Sequence, residues 1–349
     1  NVSDNLPSWM LVGFTGHRKI TDPKPIAQAI HAILQELEIT LAPLAAVSSA
    51  ASGADTQFIA EVARRGLPYF LIFPFAEERF RQDFSAEEWD RVAAHFAGAL
   101  SIDEVRDVDS ANEAYLECGI RTVDRADVLV AVWNGQPAAG KGGTGDVVDY
   151  ARKLGKPLIW IDAVTGDRRT ERLDQLPRRE RQTATADDGP SLPPRDLVVK
   201  QYTAFDTHAE RNAPKTRQLI QYIIRLHLVA TALGITGYVL GLHGLFEQLF
   251  GAFELAALST ALYLASRHRR AHHEWMSARV AAEMCRSFLA CWPMRRRGAN
   301  LPTLAFDDQD ELARSLRMAW YLDRQAEQPL EEARDTYLKG RVHDQMEYF

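Results

Sequence analysis

Cysteine is scarce in this sequence. Only Cys118, Cys285 and Cys291 occur among 349 residues, too few and too unevenly placed for a disulfide framework or a four-thiolate zinc site. A reducing compartment fits that usage. An excess of basic charge is also missing. The chain has 41 Lys+Arg against 47 Asp+Glu, a net charge of −6, whereas a dedicated nucleic-acid binder carries a net basic footprint. No charged-plus-apolar leader opens the chain, and its start at Asn1 rather than Met is compatible with a trimmed leader or tag. Disorder on a large scale is excluded, because 46% of residues are hydrophobic and 25% charged, an ordinary globular mix. The length suits two or three domains.

The first half alternates short apolar runs with amphipathic ones. Residues 9–14, 45–49, 69–73, 127–133 and 157–162 read as strands. Residues 25–41, 54–66, 87–96, 110–123 and 145–154 read as helices, with Ser85 capping the third. Strands that are apolar throughout and interleaved with helices belong to a parallel sheet covered on both faces. Residues 166–200 lose this periodicity and read as a linker or loop, with Arg178-Arg179, Asp187-Asp188 and Pro193-Pro194, and one short strand at 197–199.

The remainder, 201–349, reads as helical and contains the longest apolar run. From Leu226 to Phe246 no Asp, Glu, Lys or Arg occurs over 21 residues. A second run, 248–266, carries one formal charge, Glu254. Each is long enough to cross a hydrocarbon core of about 30 Å. The spans are placed at about 224–243 and 248–266, with Gly241, His243 and Gly244 at the turn. A buried hairpin in a soluble bundle is the alternative. The flanks favour a membrane: Lys215, Arg217 and Arg225 precede the first run, and Arg267, Arg269 and Arg270 follow the second. That distribution places both termini on the cytoplasmic side. Glu254 is costly against lipid, so a pore-lining or interhelical place is expected, with interfacial exposure as its rival. Gly234, Gly237 and Gly241 offer small surfaces for close helix approach.

Four segments fall just beyond strand ends, where an open α/β sheet binds ligands. The first is Thr15, Gly16, His17 and Arg18, a glycine turn with a hydroxyl and two groups able to meet an anion. The second is Ser52, Gly53, Ala54 and Asp55, opening a helix with Ser52 or Asp55 as its cap. The third is Phe75, a stacking surface for a base. The fourth is Trp133, Asn134 and a glycine-rich stretch with Gly142, Gly143, Thr144 and Asp146, running into a helix whose N–H groups can cradle phosphate. Gly140 to Gly145 is not a Walker loop, because no Lys-Ser/Thr pair follows, and the first strand does not lead into Gly-x-Gly-x-x-Gly. A nucleotide-type ligand is expected, with no catalytic residue and no metal.

These segments resemble the SLOG superfamily over roughly residues 9–162: Gly13-Phe-Thr-Gly-His-Arg18, Ser52-Gly-Ala-Asp55, and Trp133-Asn-Gly135 with Gly142-Gly-Thr144. The resemblance implies a Rossmann-like doubly wound parallel sheet in residues 1–165. That group includes cytokinin-activating phosphoribohydrolases and nucleotide-sensing domains of bacterial defence systems. The hydrolases carry Gly-Gly-x-Gly-Thr-x-x-Glu. Aligned on Gly143-Thr144, this chain has Val147 at the glutamate. Binding without turnover is therefore expected, and an enzyme, a membrane-tethered nucleotide N-glycosidase or phosphoribohydrolase, is the alternative.

The second half resembles SLATT domains, two-transmembrane effectors, over roughly 201–349. The resemblance lies in Phe205-Asp206, Asn212-Ala-Pro214, Trp275, Arg279, Ala282-Glu283, Arg286 and the tail Arg341-Val-His-Asp-Gln345. Together the two resemblances imply an α/β sensor followed by an all-α domain with a transmembrane hairpin, acting as a pore-forming effector in antiviral defence. They imply a nucleotide second messenger, of ADP-ribose or cyclic ADP-ribose type or else a cyclic oligonucleotide. The implied partners are a separate messenger-synthesising enzyme, the lipid bilayer of the bacterial cell membrane and further copies of the chain in a homo-oligomer. A soluble helical interaction protein remains the other alternative.

Overall fold

The computed structural model describes residues 6–41, 43–106, 108, 110–138, 142–176, 192–241, 243–294, 307–323 and 329–339. Lys141, the 178–190 charge run, Arg295 to Arg297 and the 341–349 tail lie outside them. The chain divides into two compact units, Pro7–Asp188 and Asn1–Leu6 with Gly189–Phe349.

In the first unit the strands are β1 (Met10–Gly16), β2 (Leu44–Ser48), β3 (Tyr69–Phe73), β4 (Ser101–Glu104), β5 (Val128–Trp133), β6 (Leu158–Asp162) and β7 (Arg168–Glu171). The helices are α1 (Pro23–Leu41), α2 (Ala54–Arg64), α3 (Glu77–Phe80), α4 (Ala86–Ala93), α5 (Ala111–Arg125) and α6 (Thr144–Lys153). They form one sheet in the order β4-β3-β2-β1-β5-β6-β7. All neighbours are parallel except β6 and β7.

Alternation along the central strands assigns each side chain to a layer. Val12 and Phe14 of β1, Val128, Val130 and Val132 of β5, and Ile159 and Ile161 of β6 pack with α1 and α2. Leu129, Ala131 and Trp133 face the other way, against Val123 of α5 and Val147, Val148 and Ala151 of α6. Both faces are covered, so these strands have no polar side to show. Helix α1 presents Ile26, Ile30, Ile33, Leu34, Leu37 and Leu41 to the core, a single 3.6-period stripe. Each such side chain contributes about 1.5–3 kcal/mol when fully buried. Gly13 has no side chain in that layer, and a Cβ there would lie 2.7 Å from the Cβ of Ala126, just past the end of α5. Ser85 caps α4 in a reciprocal capping box with Glu88.

Two edge strands depart from the sequence reading. β4 is half-exposed and reads Ser-Ile-Asp-Glu. β7 reads Arg-Arg-Thr-Glu, is largely exposed, and lies inside the stretch expected to be a linker. An edge strand with one wet side needs no apolar run, and charged side chains protect it from further pairing.

The second unit is helical: α7 (Pro194–Val239), α8 (Leu245–Cys291), α9 (Asp307–Leu322) and α10 (Leu330–Tyr337). The strand expected at 197–199 falls within the first two turns of α7, where Val198 is fully buried in a helix–helix core with Met284, Cys285, Phe288, Trp292 and Leu316. Helix α7 ends at Val239, short of the 243 expected for the first span. Gly241 and Gly244, at φ +56° and +73°, turn the chain into α8.

Helices α7 and α8 pack along each other as an antiparallel hairpin. The α7 stripe follows a seven-residue spacing, with Ala209, Thr216 and Ala230 buried and Ile223 and Gly237 partly so. Ala261, Ala278 and Ala282 answer it from α8. Small side chains at that spacing let two helices approach closely. The Arg279 guanidinium bonds Asp206 of α7 at 3.0 Å and Glu283 of its own helix at 3.2 Å, so one side chain holds a carboxylate from each helix. Glu254 belongs to the same inner face: a Cβ on Gly234 would lie 3.1 Å from its Oε1. Both helices are long and apolar enough to cross a membrane. Their outer faces leave Leu228, Val229, Ile235, Val239, Phe246, Phe253, Leu255 and Leu262 exposed.

Candidate functional site

The site follows from the strand order. β1 pairs with β2 on one side and β5 on the other. The chain fills the sheet outward from β1 to β4, then returns to β1's free edge. Loops leaving β1 and β5 therefore diverge to opposite faces and open a crevice at the strands' carboxyl ends. Gly16 pairs with Val132, so the two strands end level.

A cleft of about 480 Å³ occupies that crevice. Thr15, Gly16, His17 and Arg18 line it from the end of β1, and Asn134 and the Gly142, Gly143, Thr144 loop from the end of β5. The His17 N–H donates to Val132 O at 3.1 Å, and the Asn134 N–H donates to His17 Nε2 at 3.1 Å. These bonds tie the two loops together. Helix α6 begins at Thr144 on the cleft wall. The Asp146 and Val147 N–H groups donate to Gly143 O, and the N–H groups of Thr144 and Gly145 ahead of them precede the first helical bond and favour an anion.

Two glycines are required by the geometry. Gly53, at φ +93°, sits so close to the β1 loop that a Cβ would lie 2.3 Å from Arg18 O. Gly142, at φ +90°, lies on the first turns of α5, where a Cβ would be 2.4 Å from Asn112 O and 3.0 Å from Leu116 N. The positive φ and the backbone contact each exclude a larger residue.

Asp55 sits at the cleft floor with 2% of its surface exposed. The hydroxyls of Ser48 and Ser49 donate to its Oδ1 at 3.0 and 2.9 Å, and the Gly16 N–H also donates to the carboxyl. Burial pushes its pKa up to about 7, against the opposing pull of these donors and of Arg18. Asp55 thus knits β1, β2 and α2 beneath the ligand space. Cys118, nearby on α5, is buried and its thiol is pushed upward by desolvation, which leaves it an unreactive neighbour.

Arg18 lies over the Tyr115 ring, 4.0 Å from the guanidinium carbon to the centroid. The Tyr115 hydroxyl donates to Asp83 Oδ2 at 2.5 Å. Burial and this bond raise the tyrosine pKa, so the ring stays neutral.

Of the residues expected from sequence, Thr15, Gly16, His17, Arg18, Asp55, Asn134, Gly142, Gly143 and Thr144 meet in this one cleft. The others stand behind it or apart. Ser52 does not cap α2; its hydroxyl donates to Glu88 Oε1 at 2.8 Å. Gly53 supports the Arg18 backbone, and Ala54 is buried beneath Gly16. Phe75 meets Tyr115 edge-on and has Arg79 over its ring, so it backs the wall. Trp133 is buried and donates from Nε1 to Gln136 O at 2.7 Å. Asp146 accepts from the Gly142 N–H at 2.9 Å, turning inward to brace the loop. Sequence reasoning missed Ser49, Asn112, Tyr115 and Gln136, which also line the cleft. Asn112 and Tyr115 sit inside a helix whose sequence carries no motif; the spatial signal is that Gly142 docks on their turn.

No protein-family model and no curated protein matches the chain. Among solved structures, the X-ray structure of TM1055, a structural-genomics target, is similar at 14% identity and a TM-score of 0.29, covering 43% of this chain and 72% of that one.

Proposed function

We propose that the chain is a nucleotide second-messenger sensor joined to a membrane-permeabilising or channel-forming effector, in the manner of the SLOG and SLATT proteins it resembles. The cleft at the β1/β5 switch point carries this reading. It combines a helix N-terminus, a glycine loop and Arg18 at the place where doubly wound sheets hold phosphorylated ligands. The ligand is of ADP-ribose or cyclic ADP-ribose type, or else a cyclic oligonucleotide, supplied by a separate synthesising enzyme. The chain binds it without hydrolysis: the position matching the hydrolases' glutamate is Val147, an apolar residue packed against Gly119.

The exposed apolar belts of α7 and α8 support a bilayer as their cover. The charge-free run of 21 residues spans about 31 Å as a helix, close to the hydrocarbon thickness. Basic residues flank both outer ends, which favours cytoplasmic termini in the cell membrane. In the proposed homo-oligomer, the messenger opens the hairpins only through its different affinity for closed and open packings. The setting is antiphage defence.

The test uses the full chain, extracted in detergent and reconstituted into dye-loaded vesicles. ADP-ribose, cyclic ADP-ribose and cyclic oligonucleotides are added in turn. One of them is expected to release dye, and Arg18→Ala to weaken its binding by about tenfold to a hundredfold, the value of a charge-assisted hydrogen bond. A full chain that is monodisperse in plain buffer, or that binds none of these nucleotides, overturns the reading.

A further inference from the structure

We propose that Tyr115 is the stacking platform for the ligand's nucleobase, and that Arg18 covers its face until a nucleotide exchanges places with it. This rests on the nucleotide reading of the same cleft.

The ring is held on three sides. At its base, Gly142 docks so closely that a Cβ there would lie 3.3 Å from Tyr115 Cβ. At its tip, the hydroxyl is bound to Asp83, which also receives Arg79 at 3.2 Å. Beside it, Phe75 stands at right angles with centroids 5.8 Å apart. The face under Arg18 belongs to the cleft that both residues line. A ring fixed in this way offers a flat π surface with little conformational freedom left to lose.

Arg18 is suited to leave it. Its backbone is fixed against Gly53, but the side chain is long, and among the described residues no carboxylate forms an ion pair with it. A guanidinium over an aromatic face is held weakly at an exposed site. A phosphate at the α6 N-terminus presents a stronger, bidentate partner in the same cleft. The base then takes the vacated face, a sequence-tolerant contact because every base has a π surface. The recognised class is a nucleoside phosphate with its base attached, and the same contact distinguishes it from a bare sugar phosphate.

The experiment compares AMP with ribose 5-phosphate, which differ only in the base, by calorimetry on the detergent-solubilised full chain. Wild type should prefer AMP by about tenfold to a hundredfold. Tyr115→Phe should keep that preference. Tyr115→Leu should abolish it while leaving ribose 5-phosphate affinity within twofold. In parallel, adenine protons of AMP bound to wild type should shift upfield in NMR spectra through the tyrosine ring current. If Tyr115→Leu retains the preference, or loses both ligands equally, or the adenine protons do not shift, the platform assignment is overturned and the nucleotide reading stands. If wild type binds neither compound, this inference falls; the nucleotide reading falls with it when ADP-ribose, cyclic ADP-ribose and the cyclic oligonucleotides also fail to bind.

Discussion

Asp55 shows how a single residue couples the site to the fold. Its raised pKa means that the folded chain keeps a proton that the unfolded chain has already released. The stability that goes with neutral, buried Asp55 is fully present below about pH 4, the ordinary carboxylate value, and is lost as pH rises through about 7. Glu61 works in the opposite sense. Its bonds to Arg64, Arg65 and His31 hold it down to about 2 despite partial burial, so its contribution is constant above about pH 4.5 and disappears only in strong acid. Between pH 4.5 and 7.5 the two effects are therefore separable. Thermal unfolding followed by tryptophan fluorescence should show wild type losing stability across that window, and Asp55→Asn losing distinctly less. Equal slopes would show that the carboxyl titrates outside the window. Asp55 was legible in the sequence because it follows a strand and opens a helix. Tyr115 was not: its neighbours in the chain give it no motif, and its role comes from Gly142, Asp83 and Phe75, brought to it by three other elements.

At the scale of elements, the readable part of the fold is the part with a strong periodic signal. β3 starts and ends where its apolar run does, and the central strands and their covering helices lie within a few residues of expectation, because both faces of the sheet demand apolar side chains. β4 and β7 escaped notice, since an edge strand answers to one neighbour and to water. The 197–199 strand was misread because Leu-Val-Val suits either state, and Pro193-Pro194 ahead of it is as good a helix start as a loop. The glycine loop before α6 can be probed by contrast with a second glycine. Gly155, at φ +69°, closes α6 with open space around it. Gly155→Ala should cost about 1 kcal/mol, the ordinary penalty for a left-handed residue with a side chain. Gly142→Ala should cost more, about 2–4 kcal/mol, because the added carbon also strikes the α5 backbone. Urea titration of both variants checks the order; a Gly142→Ala no worse than Gly155→Ala would mean that the loop lifts freely off α5.

At the scale of the whole molecule, the two units rest on different physics. The α/β unit buries its apolar residues on itself, whereas the hairpin of the second unit buries small residues inward and turns its large ones outward. The sequence revealed this inversion as charge-free length. It did not reveal the partner of Glu254, which is the bare surface of Gly234 on the opposite helix. The seven-residue spacing of the inner stripe on α7 has a consequence for how such a chain can change length over generations. Removing one residue from a helix turns everything beyond it by about 100°, so the small residues would face outward and the leucines inward. Removing seven from α7 and the seven opposite them from α8 shortens the hairpin by about 10 Å and leaves every remaining side chain on its own face. Deletion of Val229 alone should therefore abolish a stable hairpin, seen as aggregation after detergent extraction, while the paired seven-residue deletion should remain monodisperse and, on the proposed membrane reading, favour thinner bilayers. On the proposed membrane reading, lineages of this hairpin can then drift in span only by steps that restore the face, of about seven, eleven or eighteen residues, and the set of membrane thicknesses open to them is a ladder rather than a continuum.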